Sequence, residues 1–203
     1  MKIIYQDNNV IVVDKPAGIL VHPVKDEKDT LIDLFPNTKP VHRLDRDTSG
    51  LIILAKNEKA HDWLKSQFKN REIKKKYLAL VHGKLKEKKG IIAKSISKSR
   101  KGKQTIAPIG KKRDAITRYK VIKEYGDNTL LEVLPETGRT HQIRVHLTSI
   151  GHPIVGDQKY KFKRQKSIIN RQFLHAKYLK FSLPGGKVIE LESKLPEELK
   201  SIL

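Results

Sequence analysis

Val41-His42-Arg43-Leu44-Asp45-Arg46-Asp47-Thr48-Ser49-Gly50 leads straight into Leu51-Ile52-Ile53-Leu54. The first ten residues are charged and hydroxyl-bearing, and Gly50 permits backbone angles that a larger residue resists, so they read as a loop closing in a tight turn. The apolar run that follows reads as a short buried strand. Asn57 then stands where a helix cap belongs, and Ala60, Leu64 and Phe68 recur at i, i+4 and i+8, one face of a helix. Loop, strand and helix thus follow one another without a spacer.

Before this stretch, Lys2 to Tyr5 and Val10 to Val13 are split by Asp7-Asn8-Asn9 and predict an opening β-hairpin ended by Pro16 and Gly18. Leu31-Ile32-Asp33-Leu34-Phe35, followed by Pro36, fits a short helix. After it, Lys76 to Val81, Ile91 to Ile96, Thr117 to Ile122 and Leu130 to Leu134 are strand-like, which makes the middle of the chain mainly β. Thr140 to Ile150 places apolar residues at 143, 147 and 150, a helical face that Gly151 and Pro153 end. Phe173 to Leu183 and Lys187 to Leu191, joined by Pro184-Gly185-Gly186, predict a final hairpin, and Pro196 to Leu203 a closing helix. Strands mixed with few helices, without βαβ alternation, predict an α+β class with a mixed, mostly antiparallel sheet flanked by helices and loops. A length of 203 residues with 37% hydrophobic composition and no evident linker predicts a single domain over residues 1–203.

Charge narrows the partner. Forty-three Lys and Arg stand against twenty-two Asp and Glu, a formal charge of +21. Residues 74–113 alone hold fifteen Lys and Arg and one acid, Glu87, and within them Ser95 to Lys103 reads as a long basic loop. Such a field attracts a polyanion and raises its encounter rate, so nucleic acid is the expected partner. Lys161, Lys163, Arg164 and Lys166 form a second basic cluster.

Other classes fall away. With no cysteine there is no disulfide, no thiolate nucleophile and no Cys-based zinc site. No apolar run approaches the roughly 20 residues of a membrane-spanning helix. Asp7 and Asp14 interrupt the only stretch that resembles a signal region, so a soluble, cytoplasmic protein without membrane contact is expected. Gly-x-x-x-x-Gly-Lys-Ser/Thr, Gly-x-Gly-x-x-Gly and His-Glu-x-x-His are absent, and His141 and His146 stand five apart rather than at i, i+4. Neither metal nor cofactor is expected.

Three segments carry more than architecture: residues 41–50, Lys76-Tyr77-Leu78-Ala79-Leu80-Val81, and Glu136-Thr137-Gly138-Arg139-Thr140-His141-Gln142-Ile143-Arg144-Val145-His146. With Asp14-Lys15-Pro16-Ala17-Gly18 and Phe173-Leu174-His175-Ala176 they resemble, in order and across about residues 9 to 183, the motifs of the RluA-like RNA pseudouridine synthases, which isomerise uridine within RNA. The resemblance is to a short form, without a separate S4-type RNA-binding domain, and it implies ribosomal or transfer RNA as substrate and a monomer. The stretch between Pro23 and His42 is shorter than the family pattern.

The reaction breaks the bond between ribose C1′ and base N1, turns the base, and rejoins C1′ to C5. The resemblance implies that Asp45 is the nucleophile or base. Beside a flipped base a carboxylate would be neutralised by desolvation unless a cation held it ionised. Arg144 is the matching family residue, and its permanently charged guanidinium suits a bidentate grip. Tyr77 matches the tyrosine that stacks on the target base and takes the C5 proton. Leu174 would form the apolar floor, and Arg43 would fill the gap left by flipping, which costs a few kcal/mol. His42, Arg139 and His141 complete the expected substrate-binding set.

Plainer readings stand beside these. Arg144 alone reads as an ion pair tying its helix to a loop, and Tyr77 alone as core. The alternative for the whole chain is a non-catalytic RNA-binding or ribosome-assembly protein, which gains little from a carboxylate facing a polyanion. A two-carboxylate hydrolase would have to use Asp47 as its second acid.

Overall fold

A computed structural model describes residues 1–24, 29–99, 102–106, 113–162 and 168–203. In chain order these form β1 (Lys2–Gln6), β2 (Val10–Lys15), α1 (Leu31–Leu34), β3 (Lys39–Pro40), β4 (Ser49–Ala55), α2 (Glu58–Lys69) and β5 (Lys74–His82). There follow β6 (Lys89–Ala93), β7 (Ser97–Lys98), β8 (Gln104–Thr105), β9 (Ile116–Tyr125), β10 (Asn128–Pro135) and α3 (Gln142–Ser149). The chain ends with β11 (Leu174–Ser182), β12 (Val188–Glu192) and α4 (Glu197–Lys200). They gather into two compact units, Met1–Lys75 with His175–Glu197, and Lys76–Leu174 with Glu198–Leu203.

The first unit is built on β4, whose seven residues are all buried. β2 lies antiparallel along one edge of it, with β1 outside β2. Two strands share the other edge: β3 pairs antiparallel at Leu54 and Ala55, and β11 pairs parallel at Ser49 and Gly50. β12 completes a hairpin with β11. Ala60 and Leu64 of α2 join Val10, Val12, Leu51, Ile53, Leu179 and Phe181 in one apolar cluster, so the helical stripe read at i and i+4 is the face that meets the sheet. Asn57 caps α2, its side chain accepting from the Ala60 N–H at 2.8 Å.

The second unit is an antiparallel array in the order β5-β10-β9-β6. α3 lies against β9 and β10 on the face that carries Thr117, because Thr117 is fully buried and bonds to both Gln142 and His146 of that helix. Tyr119 stands two residues on from Thr117 and opposite Val133, which is opposite Tyr77, so Tyr77 shares this covered face.

The α+β class and the mixed, mostly antiparallel pairing are as expected, and several boundaries differ. The expected strand Ile91 to Ile96 is β6, Lys89–Ala93, because its ladder to β9 runs from Lys89 opposite Lys120 to Ala93 opposite Ile116. Ile96 leaves that ladder and makes an isolated bridge to Arg113. The basic loop Ser95 to Lys103 contains one arm of a small ribbon, with Ser97 opposite Thr105 and Lys98 opposite Gln104. The closing helix is shorter than expected, and α3 begins at Gln142 rather than Thr140. Arg100, Lys101, Lys111 and Lys112 of the basic middle, and Lys163, Arg164 and Lys166 of the second cluster, lie outside the described residues. No described helix is long and apolar enough to cross a membrane.

Candidate active site

In the first unit the loop carrying Asp45 is fastened on every side. Lys15, fully buried at the end of β2, points its ammonium at three carbonyls, those of Pro16, Ile19 and Arg46, each at 2.8 Å. An ammonium has three donors and no acceptor, so this set of carbonyls replaces the water it lost. The Gly18 N–H donates to the same Arg46 oxygen at 3.0 Å, which ties the Asp14-Lys15-Pro16-Ala17-Gly18 segment to the residue after Asp45. Asp45 itself is half-buried between exposed residues 43 and 46 and the buried Leu44, and its carbonyl accepts the Thr48 N–H at 3.1 Å in a turn.

The loop's two flanks are set by His42 and by Ser49-Gly50. Ile53 N–H donates to His42 Nε2 at 3.0 Å, and the imidazole lies 4.9 Å from the Phe68 ring. A ring that accepts at Nε2 is neutral with its proton on Nδ1. Burial, helped by the nearby Lys75 ammonium, pushes that imidazole down to about 3. Lys75, 5.5 Å from the Phe68 ring centre, is itself pushed down to about 8 by burial. On the other flank, Ser49 Oγ and His175 Nδ1 are 3.0 Å apart, both residues buried. Gly50 has φ of 114°, and a Cβ there would sit 2.6 Å from the Ala176 nitrogen and nearer still to its carbonyl oxygen. Only glycine lets β4 and β11 meet there.

In the second unit the string 136–146 is a turn running into α3, and Gln142 organises it. Its Oε1 accepts from Thr137 Oγ1 at 2.7 Å and from the Arg139 N–H at 3.0 Å, while its Nε2 donates to Ile116 O and Thr117 Oγ1, both at 3.0 Å. Arg139 is exposed, with Nε donating to the Asp114 carbonyl at 3.1 Å. His141 takes the left-handed φ of 54° at the start of α3, and its Nδ1 is 2.8 Å from Tyr160 Oη. His146 is fully buried between Thr117 Oγ1 and the Lys94 carbonyl, and burial lowers its pKa.

Arg144 is buried in α3 and forks onto Asp157: Nε to Oδ2 at 2.7 Å and an Nη to Oδ1 at 2.9 Å. Burial opposes ionisation of Asp157, but the guanidinium and the Lys159 and Tyr160 N–H groups outweigh it and hold the carboxyl below its ordinary value. The plainer reading of Arg144, an ion pair between its helix and a loop, is thus realised, and the fork engages two of the five guanidinium donors. Tyr160 lies beside it, its ring centre 5.1 Å from the guanidinium carbon and 4.8 Å from Lys103 Nζ.

Of the remaining expected residues, Tyr77 is buried in β5 opposite Val133, Leu174 is buried at the start of β11, and Arg43 is exposed beside Asp45. The first unit thus presents Asp45, Arg43 and His42, and the second presents Tyr77, Arg139, His141, Arg144 and Leu174. Lys15 and Asp157 are the residues that sequence reading left without a role. The signal for Lys15 is a lysine closing an apolar strand immediately before Pro-Ala-Gly; for Asp157 it is Gly156-Asp157-Gln158-Lys159-Tyr160, the one acid in a basic neighbourhood. Among the described residues no group of three or more His, Asp or Glu could hold a metal ion.

Comparison with known proteins places this geometry. Residues 9–149 match the family model described as RNA pseudouridylate synthase. The chain is 38% identical over 218 residues to an uncharacterized RNA pseudouridine synthase of Bacillus subtilis (strain 168), covering 100% of this chain and 72% of the relative. It is 39% identical over 222 residues to the ribosomal large subunit pseudouridine synthase D of Nitrosomonas europaea, covering 100% of this chain and 64% of that protein. Among solved structures, human RNA pseudouridylate synthase domain containing 1 superposes with a TM-score of 0.83 at 29% identity, over 95% of this chain and 82% of that one.

Proposed function

Because the chain belongs to the RNA pseudouridylate synthase family, isomerases of uridine in RNA, we propose that it converts uridine to pseudouridine in ribosomal RNA, with Asp45 as the catalytic carboxylate. The observation that carries the assignment is the bracing of the Asp45 loop. A buried lysine, a neutral histidine and an obligatory glycine hold the backbone on both sides of Asp45, while the carboxylate-bearing residue itself stays half-buried. Loops braced from both sides around a partly exposed carboxylate suit a group that must be positioned before the substrate arrives.

In this reading the uridine is flipped out of its RNA and Arg43 occupies the vacated place. Tyr77 and Leu174 take the base between an aromatic face and an apolar floor. Arg144 supplies the permanent positive charge of the reaction. Asp45 acts as nucleophile or base while the C1′–N1 bond breaks. As nucleophile Asp45 bonds to C1′ as N1 leaves with the electron pair, and that bond breaks when the turned base attacks C1′ through C5; as base it returns the ribose proton it took. Tyr77 takes the C5 proton as its own hydroxyl proton passes to solvent, and N1 gains one proton from solvent, so the product is an isomer of the substrate. Ribosomal RNA is supported by relatives named for the large ribosomal subunit, and transfer RNA is the second substrate to test.

The test is tritium release from ribosomal and transfer RNA transcripts labelled at uridine C5. Wild-type protein is expected to release tritium, and Asp45→Asn is expected to bind the same RNA without releasing any. Turnover by Asp45→Asn would remove its assignment. Salt-sensitive binding by a wild type that releases nothing would favour the non-catalytic RNA-binding alternative.

A further inference from the structure

The chemistry proposed above uses Arg144 but leaves Asp157 and Tyr160 idle, although the second unit closes a network around them. We propose that Asp157 and Tyr160 are positioning residues for Arg144, the carboxylate setting the direction of the guanidinium and the aromatic ring setting its plane. The inference rests on the reading of Arg144 as the cation of the proposed reaction and deepens it.

An arginine side chain turns about several bonds, so one held by a single contact would sample many directions. Here a two-point fork of 2.7 and 2.9 Å fixes both the axis and the tilt of the group. The acceptor is itself immobilised. Asp157 Oδ1 also receives the Lys159 N–H at 2.9 Å and the Tyr160 N–H at 3.0 Å. The residue before it, Gly156, has φ of 81°, and a Cβ there would collide with the Arg171 carbonyl oxygen, so the backbone that delivers Asp157 has no slack.

The aromatic component is held equally. Tyr160 is 5% exposed, too little to serve as a stacking surface for RNA, and its hydroxyl is 2.8 Å from His141 Nδ1. Thr148, one helical turn beyond Arg144, shares its one hydroxyl proton between the Arg144 carbonyl at 2.8 Å and the Tyr160 carbonyl at 3.1 Å, which joins the two backbones as well as the two side chains. An ion pair whose only purpose was to fasten α3 to a loop would gain little from this. Well-packed apolar residues hold two elements together as well as a buried charge pair or better. A buried, doubly bonded and ring-backed guanidinium suits a cation that must be aimed.

The test is a mutant cycle read in single-turnover rate at saturating RNA, beside the RNA dissociation constant. Asp157→Asn is expected to lower the rate about 100-fold, the scale of a misplacement of about 1 Å, with RNA affinity unchanged. In an Arg144→Lys background the same change should cost little more, because the group it aims is already lost. A purely architectural role would instead lower the rate by the same factor in both backgrounds, and that result would overturn the proposal, as would an Asp157→Asn protein as fast as wild type. Should Asp157→Asn fail to fold, Tyr160→Leu removes the ring without leaving a buried charge unpaired. It is expected to slow the rate with KM unchanged, and an unchanged rate would likewise overturn the proposal. If the wild type forms no pseudouridine on ribosomal or transfer RNA, the functional reading falls and takes this inference with it. An active wild type with unaffected variants overturns this inference alone.

Discussion

Protonating His42 would place a charge where burial disfavours one and set a second cation beside Lys75, and it would also break the bond that the Ile53 N–H makes to its Nε2. The folded protein therefore takes up that proton only near pH 3, whereas the unfolded chain takes it up near the ordinary value of 6.5. Between these values the unfolded state binds more protons, so stability is full above 6.5 and falls as pH falls towards 3, with a slope of up to about 1.4 kcal/mol per pH unit. His42→Gln offers Ile53 an oxygen that does not titrate there. The urea midpoint of the wild type is expected to drop more steeply than that of His42→Gln between pH 6.5 and 4; parallel slopes would contradict the assignment. Gly50 makes a sterically sharper case, since both its φ of 114° and the Ala176 backbone exclude a side chain. Gly50→Ala is expected to cost about 3 kcal/mol, measured by chemical denaturation, and a loss near zero would mean that β4 and β11 have room to separate. The demand for glycine at position 50 is legible in sequence as a turn signal, but its cause is a strand from 126 residues away. Asp157 is harder still. A lone carboxylate in a basic stretch has no visible partner until α3 brings Arg144 to it.

Elements follow the same division. The apolar run at β4 and the i, i+4 stripe of α2 are read correctly because burial imposes a period on the residues that form them. β3, β7 and β8 are two residues each, too short for any period, and they exist because a neighbouring strand offers free backbone groups. The shift of β6 from Ile91–Ile96 to Lys89–Ala93 has a related origin: hydrogen bonds to β9 recruit Lys89 and Gly90, which no hydrophobic pattern marks. The start of α3 shows how polar side chains set an element's geometry. Gln142 makes four hydrogen bonds, two accepted at Oε1 and two donated from Nε2 to Ile116 O and Thr117 Oγ1. Gln142→Glu is nearly isosteric but turns the donor into a charged acceptor facing the Ile116 carbonyl in a buried site. A loss of about 3 kcal/mol is expected, from an unpaired buried charge and two broken bonds. Because α3 carries Arg144, turnover should fall with stability. A variant that unfolds at the wild-type urea midpoint would show that the Thr137–Gln142 turn does not depend on this amide.

For the whole molecule the dominant quantity is the charge of +21. Some lysines are balanced locally within that sum, Lys84 and Lys88 sharing Glu124 and Lys76 meeting Glu132, while Lys89, Lys98 and Lys103 are exposed along β6 and the β7–β8 ribbon. Exposed lysines on short strands bind phosphate as point charges and read no base, so they govern affinity rather than the choice of uridine. Such binding releases condensed counterions, and log affinity then falls linearly with log salt. Six or more phosphate contacts would cost about 10³-fold in affinity between 50 and 200 mM salt. Lys98→Ala is expected to reduce the slope by about one, the signature of a single lost phosphate contact. Chemistry at Asp45 answers to a different part of the field. Its braces are buried hydrogen bonds within the first unit, shielded from mobile ions, so turnover measured on fully bound RNA should hardly change over the same salt range. Filter binding and single-turnover assays across one salt series separate the two. A flat binding curve would remove the polyanion track, and a single-turnover rate that fell in step with affinity would place the sensitive charges in the reacting pocket rather than on the surface that brings RNA to it.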